Sequence, residues 1–334
     1  MDATPTSVYS AADLPTPCGE LSEAVIDALR GGPGTSLPTG LDASDPRSRD
    51  LHLALSTCYE LHYRGFLDVD DQWEWNPELI RFRGTLEKTY LNYLRDEIEP
   101  GSDAVAEMES LSVEPKTGTG PSWFLRDEGT WDHMREYFVH RSIYHLKEAD
   151  PHAWAIPRLQ GQVKASFVAV EFDEYGGGRG ERVHQQLFAD LMDAADLDSS
   201  YLAYIDVVPA QTLAWVNLMS LFGLHRSLRG ATVGHFAATE ITSSPGSRRF
   251  VDALERLGAP HACTAFYAEH VEADAVHEQI LRHDVVGQLI RREPSVESDI
   301  VFGMRALGFA EDALADHIMG AWQSGHSSIS APIG

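Results

Sequence analysis

His270, Asp274 and His277 stand at i, i+4 and i+7 in FYAEHVEADAVHEQ, residues 266–279. On an α-helix those positions share one face, about a turn apart. The stretch contains no Gly or Pro and is rich in helix formers. Two imidazoles and a carboxylate on one face form a ligand set for a divalent transition metal. Further ligands must come from elsewhere in the chain, and three segments offer them. Glu148 precedes Asp150-Pro151. VEFDEYGGGRGERVHQQLF (170–188) carries Glu171, Asp173, Glu174, Glu181 and His184. Glu240 sits in HFAATEITSS (235–244), among small and apolar residues. A glutamate in so apolar a setting is costly to bury without a partner, and a metal ion is one such partner.

A two-metal site in a helical bundle draws carboxylates and imidazoles from several helices pointing inward. Glu181-x-x-His184 copies the Glu-x-x-His pattern of di-iron bundles, and Asp274-x-x-His277 nearly repeats it. Spacing therefore favours Glu181. Against this, GGGRG (176–180) interrupts the helix and leaves Glu181 in the first turn of the next one. There the helix dipole accounts for a carboxylate without any metal. Glu174, before the glycines, could fold back beside His184. Spacing leaves both choices open.

The elements that must position these residues are helical. Residues 1–45 are rich in Pro, Gly, Ser and Thr and read as a mostly irregular arm, with SEAVIDALR (22–30) helical. A helical pattern runs over 50–66. Asn76 and Pro77 mark the N-cap and first turn of a long amphipathic helix to about residue 98. Residues 112–122 read as a linker. Beyond it the pattern predicts helices at 128–149, 153–175, 181–195, 211–224, 227–243, 246–257, 262–292 and 297–322, the last capped by Ser295 ahead of Glu297 and Ser298. Alternating βαβ units and a glycine-rich phosphate loop are missing, so the economical architecture is an all-α bundle. The expected division is an arm over 1–45, a helical extension over 46–123 and the metal-binding bundle over 124–325.

Composition narrows the partners. With 26 basic and 51 acidic residues the formal charge is −25, which argues against nucleic acid and anionic membrane surfaces. Cys18, Cys58 and Cys263 are widely spaced and form no metal-binding or redox pair, so reduced thiols are expected. With no basic-then-apolar leader and no apolar run of membrane-spanning length, a cytoplasmic location is the expectation.

The phrases HRSIYHLKEADPHAWAIPRL, EFDEYGGGRGERVHQQLF and FYAEHVEADAVHEQ resemble the haem-oxygenase-like di-iron oxidases, and the middle phrase is close to the signature of that group's iron-containing redox enzymes. The resemblance spans roughly residues 130–320. It implies a haem-oxygenase-like helical bundle, with residues 50–98 as the N-terminal helical extension of longer members. Carried over by position, it implies metal ligands at Glu148, Glu174, His184, Glu240, His270, Asp274 and His277, four carboxylates and three histidines. It thereby selects Glu174 over Glu181, which becomes a cap, and leaves Glu171 as a helix-face or supporting group. Glu60 and His62 keep a smaller role as supporting or substrate contacts.

The resemblance further implies two Fe(II) ions, with Mn possible at one site, O₂ as co-substrate and no haem. The family's reactions include N-oxygenation on the way to an N-nitrosourea, azetidine ring closure, desaturation and C–C cleavage. The implied substrate is a small amino acid or amine of specialised metabolism. Arg141, Lys147, Lys164, Arg248 and Arg249 are candidates to bind its carboxylate. An external electron donor and a homodimer contact through the helix near 76–98 belong to the same set of expectations. The alternatives are an iron-binding or storage protein without organic turnover and a fatty-acid oxidative decarboxylase.

Overall fold

The computed structural model describes residues 11–333; the first ten residues of the expected arm lie outside them. In chain order the helices are α1 (Glu20–Gly31), α2 (Arg49–Glu60), α3 (Pro77–Glu97), α4 (Ala104–Leu111), α5 (Pro121–Asp127), α6 (Trp131–His145), α7 (Asp150–Ala153), α8 (Gly161–Glu174), α9 (His184–Ala194), α10 (Ala210–Leu224), α11 (Arg229–Leu257), α12 (His261–Gln279), α13 (Gly287–Arg292) and α14 (Glu297–Gln323). Among the described residues no strand forms, and one isolated bridge joins Ala12 to Phe66. The fold is the all-α haem-oxygenase-like bundle.

α10 is apolar on nearly every side and buried along most of its length, as a helix at the centre of a bundle must be. It packs against α2 on one side and α14 on another. α11 runs beside both α12 and α14, which puts Glu240 opposite the face that carries His270, Asp274 and His277. One continuous apolar core takes in α1–α3 together with the later helices.

Several boundaries differ from the sequence expectation. The helix expected over 153–175 begins only at Gly161, because Pro157 sits in a separate 3₁₀ turn, Ile156–Arg158. The helix expected from 181 starts at His184, which leaves Glu181 exposed in the 3₁₀ turn Gly180–Arg182 rather than capping α9. Ser295 likewise lies in a 3₁₀ turn and does not cap α14. Instead Glu297 reaches across to accept from the Ala104 backbone N–H at the start of α4, a helix the pattern did not predict. Asn76 caps α3 as expected, accepting from the N–H groups of Glu78 and Leu79.

The two helices expected at 227–243 and 246–257 are one, running straight through Pro245. An interior proline costs about 3 kcal/mol. Burial along α11 from Ala231 to Ile241 and again from Ser247 to Leu254 outweighs that penalty.

The segment expected as one helix at 262–292 is continuous, but residues Ile280–Val286 widen into π geometry between α12 and α13. His277, Leu281, Val285 and Leu289 are all buried. Those four-residue steps drift off a 3.6-residue stripe, and a wider turn keeps them facing the core.

α11 and α14 meet backbone to backbone. A Cβ at Gly234 would overlap the Ile300 carbonyl, and one at Gly303 would overlap the Ala231 carbonyl. This reciprocal contact fixes the helix that carries Glu240. Gly303→Ala should therefore destabilise the protein by about 1–3 kcal/mol, the range for overpacking a close interface. Thermal or urea unfolding monitored by circular dichroism checks it, with Gly308→Ala, where a Cβ meets open space, as the neutral control.

Candidate metal centre

Each ligand-type side chain arrives from a separate local device. Glu148 lies in the turn after α6, and Ala149 behind it holds a left-handed φ of +70°. Glu174 ends α8 and is followed by Gly176, Gly177 and Gly178, all at positive φ. A Cβ at Gly176 would sit 2.6 Å from the Arg182 carbonyl carbon, so only glycine lets the chain double back there. That reversal brings His184, the first residue of α9, against Glu174. Glu240 faces inward from α11. His270, Asp274 and His277 share the inner face of α12, as the i, i+4, i+7 spacing requires.

All seven side chains are buried, and they form two adjoining groups. Glu148, His184 and His270 make the first; Glu174, Glu240, Asp274 and His277 make the second. Within each, the ligand atoms lie within 4.8 Å of one another. The Glu174 carboxylate touches both groups, with Oε2 2.8 Å from His184 Nδ1 and Oε1 3.4 Å from His277 Nδ1. His277 Nδ1 is 3.0 Å from Glu240 Oε2. His270 Nδ1 donates to the Phe266 carbonyl at 2.8 Å, which leaves Nε2 as its free ligand atom.

The donors fit a pair of divalent ions. His270 Nε2, Glu148 Oε2 and Asp274 Oδ2 are buried without hydrogen-bond partners, and buried polar atoms rarely stay unsatisfied. Four carboxylates balance two divalent charges. Mixed carboxylate and imidazole donors suit iron or manganese.

Electrostatics separate the two groups. Burial alone would lower the His270 and His277 imidazoles. The carboxylates around them outweigh it: Glu148 raises His270 well above its ordinary value, and Asp274 with Glu240 raises His277 to about 11. Burial would raise Glu148, but His145 and His270 hold it well below the usual carboxylate range. In the second group three carboxylates crowd one imidazole. Burial and the Asp274 charge push Glu240 well above its usual range, against the pull of His277.

Two nearby groups went unnoticed or underweighted in the sequence. His145 places Nδ1 2.9 Å from Glu148 Oε1; its i, i+3 spacing from Glu148 was the available signal. Glu171 is buried with both oxygens unpartnered, and burial plus the Glu174 charge pushes its carboxyl well above the usual range. Asp173 is more exposed and approaches His277 Nε2 at 3.4 Å.

A cavity of about 360 Å³ opens onto Glu148 and His270 of the first group. Arg141 and Arg249 line it, whereas Lys147, Lys164 and Arg248 do not. Lys147 pairs with Glu60, and Arg248 is exposed. His62 pairs with Glu74 and Arg83 and is not among the cavity-lining residues. Cys58 and Cys263 are buried free thiols and Cys18 an exposed one. Among the described residues no helix is long and apolar enough to cross a membrane.

A helical bundle with two adjoining carboxylate–histidine groups defines a class of metal-dependent redox proteins. A family model described as "Iron-containing redox enzyme" matches residues 135–311, more than half of the chain, and the protein belongs to that family. No curated protein matches the chain.

The surrounding carboxylates raise the His270 and His277 imidazoles above their ordinary values, so an incoming ion competes with protons for both. Metal affinity should then rise with pH between about 6 and 8, each displaced proton contributing about tenfold per unit. Calorimetric titration with Mn(II) in buffers of different ionisation enthalpy should report proton release; an enthalpy independent of buffer would contradict that competition.

Proposed function

We propose that this protein is an O₂-dependent non-haem di-iron oxidase or oxygenase acting on a small amino acid or amine. The observation that carries this reading is that the first of two adjoining ligand groups opens onto the cavity. Seven buried donors form two adjoining groups, the ligand atoms of each within 4.8 Å of one another, and the cavity volume is in the range of small-molecule sites. Two Fe(II) ions, when bound, would supply electrons to O₂ and so activate it as the oxidant that takes electrons from the substrate. The reaction is N-oxygenation, or C–H abstraction leading to desaturation, ring closure or C–C cleavage.

The protein's own part is to bind, orient and exclude water. Arg141 makes a bidentate pair with Glu311, its two NH groups each 2.7 Å from a carboxylate oxygen, and is further braced by the Tyr137 hydroxyl. Both members line the cavity. An α-amino acid presents a carboxylate and an ammonium side by side, the complement of that pair. Tyr137, Trp215, Phe250 and Tyr267 wall the space with aromatic surface. Trp215 Nε1, Tyr267 Oη and His235 Nε2 lack partners, so they are free to hydrogen-bond substrate polar atoms. First-group residues Glu148 and His270 line this cavity; none of the second group does. The reacting end of the substrate therefore meets the first group.

A second reading has its own support. Met304, Leu307, Leu314 and Ile318 give the cavity an apolar flank, which fits the chain of a fatty acid undergoing oxidative decarboxylation.

The test is O₂ consumption by anaerobically prepared protein holding Fe(II), with a panel of amino acids, amines and fatty acids. Uptake dependent on one amino acid or amine is the expected result. Uptake with fatty acids alone would favour the second reading. Uptake with none, at two bound irons per chain, would leave an iron-binding protein. For an amino-acid substrate Arg141→Lys should raise KM about 10- to 100-fold, the factor for a lost charge-assisted hydrogen bond, with a smaller change in kcat.

A further inference from the structure

We infer that Glu60, at the end of α2, and Arg64, in the turn after it, are positioning residues for the first metal group. They reach across the fold to hold the two chain segments that carry Glu148 and His184. The inference rests on the two-ion reading of the site.

Glu60 ends α2 and is buried. Its Oε2 accepts from Lys147 Nζ at 2.8 Å, and Oε1 accepts from the Tyr201 hydroxyl at 2.6 Å. Lys147 is the residue before Glu148, and its ammonium also lies over the Tyr63 ring. Arg64 follows in the next turn. Its Nη2 donates to the Leu146 carbonyl at 2.6 Å and to Gln185 Oε1 at 2.9 Å. Gln185 in turn donates from Nε2 to the Glu148 carbonyl at 2.9 Å. Gln185 is the neighbour of His184. The guanidinium stacks on Tyr201, 4.0 Å from the ring centroid, so both positioning residues are anchored to the same tyrosine.

The turn needs such ties. Glu148 has left α6, so helical hydrogen bonds no longer fix it. Ala149 holds φ +70° and ψ −36°, a strained conformation for a residue with a Cβ, which persists only where surroundings over-determine it. The ties fall on residues 146, 147 and 148 in succession. Carboxylate and imidazole ligands bind tightly only when their outer partners hold their orientation. No comparable tie from α1–α3 to the second group appears among the described residues.

The experiment uses the full chain under anaerobic conditions. Fe(II) affinities are resolved by competition with a chromophoric chelator, and His184→Ala marks the affinity that belongs to the first group. Glu60→Gln should lower that affinity about 10- to 100-fold, the usual cost of losing an outer partner, and leave the other within about twofold. Arg64→Lys should act in the same direction, and it carries the test alone where Glu60→Gln does not fold. Adding Ala149→Gly should restore part of the loss, because glycine holds the turn without strain; a merely structural defect would not be rescued this way. Two wild-type affinities in both variants, or an equal fall in both, would overturn the inference while leaving the metal centre intact. A wild-type chain that binds no iron would overturn the metal centre itself.

Discussion

Seven ionisable side chains share one buried region of this bundle, and that constraint orders the rest of the structure. Burying a carboxylate unpaired costs several kcal/mol, and crowding a like charge beside it adds more. The fold meets this by interleaving imidazoles with carboxylates. The groups are unequal: the first sets one carboxylate against two histidines, the second three against one. In the first, His145 and His270 hold Glu148 well below the usual carboxylate range, whereas in the second burial and the Asp274 charge push Glu240 well above it. Cations are the natural occupants of such a region, because they remove protons and repulsion together.

α12 is the element that makes two groups out of one region. His270 belongs to the first group, and Asp274 and His277 to the second. A four-residue step rises about 6 Å along a helix and returns to nearly the same face. One straight turn therefore offsets the two groups without any loop between them. Glu174 completes the junction from the opposite side, one oxygen toward each group. The π-helical turn that follows His277 then lets the chain keep facing the core without rotating the ligand face.

How much of this the sequence disclosed depended on range. Helical periodicity exposed α12, α3 and α10, and it placed His270, Asp274 and His277 on one face correctly. It could not choose between Glu174 and Glu181, because that choice turns on three consecutive left-handed glycines and the approach of Gly176 to the Arg182 backbone. Pro245 suggested a break that tertiary burial overrode. Ser295 looked like a cap of α14, but it lies in a 3₁₀ turn, and Glu297 instead accepts from the Ala104 N–H at the start of α4, nearly two hundred residues away. Glu60 was legible as a supporting or substrate contact, yet its partner Lys147 read as one of several candidates for the substrate carboxylate. Local signals were readable; pairings set by folding were not.

The two groups also differ in what they face. The cavity reaches Glu148 and His270, and the second group lies behind them. A site tolerates loose placement least where it must align a substrate with its reactive centre, since small displacements there weaken every directional interaction. This structure concentrates its long-range ties at that side: Arg141 and Glu311 lock each other on the cavity wall, and residues of α2 and the turn after it grip the Glu148 turn. The second group relies on regular helices, α8, α11 and α12, whose packing already fixes it. The N-terminal helices are thus continuous with the site in mechanics as well as in core, and the irregular turn they hold places Glu148 where helical geometry alone does not.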